Sequence, residues 1–298
     1  MSRFWRIPVL IAFLILPAVS PALLAEATGS KYDTDLQKVF EIRAKISDIH
    51  SFFHRLFPIA VVEDDSFLVF DLDSSGERYT LAKKAPSPLP IPTGIRAAFP
   101  LECYGNRAAC VVSGDVFESL EGYVTIFHEF MHCHQWATCE QGLKEKLTVA
   151  QEALSRQDYS WEINYPFPYT NRRFTKTYSL FLQALAEKDS GAIAKSRRRL
   201  QRILPQPDYE YLVWQEWKEG FARFIENRIR RRLALPENHY GQETPFHRIT
   251  FYEGGAGYIE YLTGQHPELA TNPEALFYKM FSRTPENPVS GDSAADFR

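Results

Sequence analysis

The chain has 298 residues, 45% of them hydrophobic and 24% charged, and carries a net charge of −3 at neutral pH. So much apolar content excludes an intrinsically disordered protein, and the small negative charge excludes any global attraction to nucleic acid. The arginine runs at 197–199 and 230–232 read as solvated helix faces rather than phosphate sites.

Residues 1–27 read as a secretory signal. Arg3 and Arg6 precede an apolar run over 7–19, and Ala25-Glu26-Ala27 supplies a small-x-small cleavage site. The protein is therefore expected to be exported, periplasmic or secreted, with its mature chain starting near Thr28. Without cleavage the same segment would tether it to a membrane. The remainder is long enough for one elaborated domain, divided into an N-terminal α/β part over 28–117 and a helical part over 118–298.

Apolar positions from Leu36 to Leu56 recur at helical spacing and predict a helix over 34–56. It carries His50 and His54, four apart, which have no acid between them and read as surface or packing histidines. Segments 67–72 and 78–82, separated by a turn from Asp73 to Gly76, predict a hairpin. After a proline-rich connector over 85–92, a further strand is expected over 108–112, giving a small antiparallel sheet. Four cysteines in an exported chain suggest disulfides, with Cys103–Cys110 and Cys133–Cys139 as the local pairs. The second pair requires the helix around it to stop soon after His134, because residues six apart on a continuous helix cannot meet disulfide geometry.

The next helix, apolar on most of its circumference and with a capping start offered by Asp115 and Glu118, contains His128-Glu129-Phe130-Met131-His132. Two imidazoles four apart on a helix stand one turn above each other and can grip one zinc ion, while the carboxylate between them can take a proton from a water molecule. A catalytic zinc has a third protein ligand. The metzincin pattern would place a histidine at 138, where Thr138 stands, so a glutamate from a later helix is expected. Beyond Cys139 helices are predicted over 140–157, 172–188, 190–203, 208–233, 250–264 and 273–282, interrupted by an aromatic segment over 161–169 that could shape a cleft or simply pack in the core.

Two of these later segments carry a resemblance. Lys218-Glu219-Gly220-Phe221-Ala222-Arg223-Phe224-Ile225-Glu226 resembles the NEGFAxxxE segment of the gluzincin peptidases of the aminopeptidase N and leukotriene hydrolase group, departing at Lys218. Tyr252-Glu253-Gly254-Gly255-Ala256 resembles that group's Y-x-K-G-A segment, with Gly254 replacing the lysine. The resemblance implies a zincin-like catalytic domain, α+β and mainly α, whose cleft lies between a small N-terminal sheet and a helical lobe. It implies Glu219 as third ligand and Tyr252 as donor to the oxyanion, with Tyr258 in reserve. One Zn2+ per chain and a peptide or protein substrate follow. Two departures stand out: 87 positions separate His132 from Glu219, and no GxMEN-type segment precedes the histidines, so nothing supports recognition of a free amino terminus. Glu216 and Glu226 remain alternative ligands. A zinc hydrolase acting on a non-peptide bond and an exported, non-enzymatic zinc-binding protein remain alternative functions.

Overall fold

The structure is a computed structural model that describes residues 30–88 and 90–282; the expected signal over 1–27 lies outside the described residues. The first helix, α1 (Asp33–Ile46), buries Leu36, Val39, Ile42 and Ile46 along one stripe. It stops ten residues short of the predicted end. His50 turns the chain into extended conformation, its Nδ1 accepts the Phe52 N–H at 3.0 Å, and a separate 3-10 turn follows over Ser51–His54. The His50 Nε2–H donates to the Ala270 carbonyl at 2.6 Å, so this histidine is a buried packing residue, as expected. His54 is exposed.

Five strands form one sheet: β1 (Ile59–Glu63), β2 (Ser66–Leu72), β3 (Tyr79–Pro86), β4 (Arg96–Leu101) and β5 (Arg107–Ser113), in the order β3-β2-β1-β5-β4. The expected hairpin is β2–β3, and the expected strand at 108–112 is β5. The sheet is mixed rather than antiparallel. The chain leaves β3, passes to the far edge as β4 and returns as β5, which lands parallel to β1. Sequence reasoning missed β1 because its turn is disguised. Asp64 and Asp65 join β1 to β2, and both take positive φ (46° and 53°), the two-residue hairpin conformation that glycine or asparagine usually signals.

Side chains alternate across the sheet. Ile59, Val61, Phe70, Cys110 and Val112 join the main core, whereas Ala60, Phe67, Val69, Ala109 and Val111 form a smaller cluster on the other face. Against the main-core face packs α2 (Leu120–Gln135). Its cap is Ser119, whose hydroxyl accepts the Gly122 N–H at 3.0 Å. Asp115, expected to cap, instead pairs with Arg96 (2.7 Å) and accepts from Ser113 (2.6 Å), because residues 114–118 form a 3-10 turn folded back on the helix start.

Nor does α2 stop after His134. It widens into a π turn over Trp136–Glu140 and continues as α3 (Gln141–Lys144). All four cysteines are free, which corrects the expected disulfides. Cys133 and Cys139 lie on one continuous helical course, and Cys103 and Cys110 belong to clusters on opposite faces of the sheet.

The rest is helical: α4 (Thr148–Ser155), α5 (Trp161–Asn164), α6 (Arg172–Ala186), α7 (Ser190–Ile203), α8 (Gln206–Arg232), α9 (Thr250–Gln265) and α10 (Pro273–Phe281). Those from α6 onward match the predicted helices within two residues. The predicted helix at 140–157 is divided into α3 and α4. At 27 residues α8 is about 40 Å long; it packs against α1, α2, α4, α7, α9 and α10, and one core cluster runs from Tyr32 to Met280.

Candidate metal centre

On α2, His128 and His132 project from successive turns, with ring centroids 5.0 Å apart. Opposite them α8 presents Glu219, whose Oε2 lies 3.4 Å from His132 Nε2 and 4.0 Å from His128 Nε2. The three ligand-type atoms lie within 4.8 Å of one another. A tetrahedral zinc with bonds of about 2.0–2.1 Å holds its ligand atoms a little over 3 Å apart, so this spacing needs only a small contraction.

The other ring nitrogens decide the chemistry. Glu226, one of the alternative ligands, accepts the Nδ1–H of His128 at 3.0 Å. Gln135 Oε1 accepts the Nδ1–H of His132 at 3.0 Å, and its Nε2 donates to the carbonyls of Trp217 (3.4 Å) and Lys218 (3.2 Å), which fixes the amide orientation. Both imidazoles therefore carry their proton on Nδ1 and turn an Nε2 lone pair toward a carboxylate. Such an array of acceptors is unfavourable unless a cation stands between them, so the donor set fits a metal ion. When no metal balances it, a proton does. Burial alone would push the His132 imidazole down, but the Glu219 carboxylate, assisted by Glu129, raises it to about 9. Burial would raise the Glu219 carboxyl, yet His132, His128 and Arg248 hold it well below the usual carboxylate range.

Glu129 is buried between the histidines, and that burial raises its carboxyl against the pull of His132 and His128. Tyr252, at the start of α9, is also placed here. Its burial, together with Glu219 and a hydrogen bond to it, drives the phenol far above its ordinary range, against the pull of Arg248, so it is a proton donor throughout the neutral range. The guanidinium groups of Arg223 and Arg248 lie 5.7 and 5.3 Å from its ring centroid. Tyr258 is elsewhere, packed under Arg197. Glu216 is likewise committed, to Arg197 and Tyr178.

Backbone contact between α8 and α9 sets these positions. A Cβ on Gly220 would lie 2.6 Å from Gly255 Cα, and one on Gly255 would lie 2.2 Å from the Glu216 carbonyl oxygen, so the two helices cross with nothing between them. Gly254 explains one departure from the resembled segment, since a Cβ there would meet the Tyr178 hydroxyl at 2.0 Å. Lys218 explains the other. It bridges Glu140 (3.0 Å) and Glu162 (2.7 Å), tying α8 to the π turn and to α5.

The helical stripe of Gln215, Glu216, Glu219, Arg223 and Glu226 is thus no solvent face. Glu219 pairs with Arg248 at 3.5 Å instead of with Arg223, and Arg223 pairs with Glu226 at 3.3 Å. Sequence reasoning missed Gln135, the partner role of Glu226, and Arg248. The first two carry a faint signal, one residue three beyond His132 and the other two turns beyond Glu219; Arg248 carries none. A cavity of about 700 Å3 between α6, α8 and α9 is not lined by His128, His132 or Glu219. No family model, curated protein or solved structure matches this chain.

Proposed function

We propose that this protein is an exported zinc-dependent peptidase of gluzincin type, with a zincin-like catalytic domain and one Zn2+ held by His128, His132 and Glu219. The observation that carries this reading is the convergence of two imidazole lone pairs and a carboxylate beside the buried Glu129 and the half-buried Tyr252. Zinc bound there polarises a scissile carbonyl and lowers the pKa of water toward neutrality. Glu129 takes the proton from the attacking water as the new C–O bond forms, and passes it to the departing amine as the C–N bond breaks. Burial favours that role by bringing its proton affinity closer to that of the groups it serves. Tyr252 donates to the oxygen on which negative charge develops, a contact useful chiefly in the transition state.

An extended substrate needs a strand edge. The strand expected at 108–112 cannot supply it, because β5 is paired on both sides, with β1 and β4. β3 and β4 are the two edge strands, and β4 is the one against which α2 packs, so the docking role falls to β4.

The test is direct. Elemental analysis should find one zinc per chain, and Glu219→Ala should lose it. Glu129→Gln should keep zinc while casein or peptide-library hydrolysis falls by about 10²–10⁴-fold. Intact zinc without peptide cleavage would favour a hydrolase of another bond, and a fold that melts on chelation would favour a structural metal.

A further inference from the structure

Other arginines around the site are engaged by several partners, although the buried Arg223 Nε forms no hydrogen bond among the described residues. Arg223 donates to the carbonyls of Asn238 (3.1 Å) and Tyr240 (3.4 Å) and pairs with Glu226, and Arg230 is held by Glu226 and the Pro236 carbonyl. Arg248 differs. Its one charged partner among the described residues is Glu219 Oε1, at 3.5 Å from Nη1, and no hydrogen bond satisfies the rest of its guanidinium. With its side chain 30% exposed, it has idle donors facing solvent beside the site.

Glu219 divides its oxygens. Oε2 faces the two imidazoles while Oε1 faces Arg248, so the guanidinium borders the reacting groups and lies over the Tyr252 ring. A planar cation with free N–H groups in a partly desolvated position matches a carboxylate in fork geometry and repels an ammonium group. Successive Cα atoms are about 3.8 Å apart, so a group bound there lies within one or two residues of the cleaved bond.

We infer that Arg248 is a specificity-determining residue that binds a substrate carboxylate one or two residues from the scissile bond. Two sources share this chemistry, the C-terminus of a short leaving fragment and an Asp or Glu side chain. The inference rests on the peptidase reading, but its test reads binding as well as turnover.

The probes are N-acetyl-Phe-Ala with a free carboxylate, its C-terminal amide, and N-acetyl-Phe-Asp amide. Calorimetric Kd values are measured for the zinc-loaded wild type, Arg248→Gln and Arg248→Lys, with zinc content assayed for each. Wild type should bind the free acid at least about tenfold more tightly than the amide. Arg248→Gln should bring that ratio near one without loss of zinc, and Arg248→Lys, which keeps charge without the fork, should fall between. Tight binding of the Asp amide would assign the side chain as source, and weak binding the C-terminus. Equal wild-type affinity for acid and amide, or a ratio that survives Arg248→Gln, would overturn the inference. So would equal weakening of all three ligands together with zinc loss, the mark of a residue that only positions Glu219. Absence of any peptide cleavage would count against the peptidase reading while leaving the affinity ratios to decide the role of Arg248.

Discussion

The crossing of α8 and α9 offers the sharpest test of how the site is held. In Gly220→Ala the new methyl would stand 2.6, 2.7 and 2.9 Å from Gly255 Cα, Gly255 C and Ala256 N, and in Gly255→Ala it would stand 2.2 Å from the Glu216 carbonyl oxygen. Ordinary contact begins at 3.4 Å. Since every atom met is backbone, no rotamer change relieves the clash and the helices must part. Overpacking of this kind costs about 1–3 kcal/mol or more, whereas replacing glycine by alanine in a helix returns about 0.8–1 kcal/mol. The net loss should be up to about 2 kcal/mol for Gly220→Ala and greater for Gly255→Ala. Gly264 is the control. A Cβ there meets nothing within 4 Å, so Gly264→Ala should be neutral or stabilising by up to about 1 kcal/mol. Urea unfolding monitored at constant m-value measures all three. The parted helices should also misplace Glu219 and Tyr252, and displacements near 1 Å cost about 10²-fold in rate, so zinc retention and turnover should fall with stability. A Gly255→Ala protein as stable as wild type, or one no less stable than Gly264→Ala, would refute the reasoning.

Two further outcomes follow from the histidines. Glu226→Gln removes the charge that accepts the His128 Nδ1–H and should weaken zinc binding about 10–100-fold, read by competition with a chromogenic chelator; unchanged affinity would remove Glu226 from that role. His50 is held neutral because burial lowers its pKa, and its Nδ1 is needed as an acceptor for the Phe52 N–H. Its contribution to stability should be complete above its unfolded pKa near 6.5 and decline as pH falls below that value, because the unfolded chain then binds the proton more readily. His50→Asn keeps a capping acceptor without the titration, so its unfolding free energy should fall less between pH 7 and 5 than that of wild type; parallel declines would exclude the effect.

Much of this protein is written locally. The pairing of His128 with His132 follows from 3.6 residues per turn, and α6 to α10 follow from apolar spacing, because a helix closes its hydrogen bonds within its own segment. Strands do not. β1 was hidden by a turn built from Asp64 and Asp65, and the parallel pairing of β1 with β5 depends on a path across the sheet that no short window encodes. The end of α1 was hidden in the same way, since His50 is held by a carbonyl 220 positions away.

The site divides along that line. The spacing of His128 and His132 on α2 suggests a metal pair by itself, and the segments around Glu219 and Tyr252 were legible through their likeness to a known pattern. Tertiary structure alone decided that Gln135 and Glu226 orient the imidazoles, that Glu219 answers to Arg248, that β4 rather than β5 lies at an edge of the sheet, and that the cysteines stay apart. The reason is geometric. Spacing along a helix fixes which side chains share a face, but which faces meet is settled by close packing, here by two glycines that let α8 and α9 touch backbone to backbone.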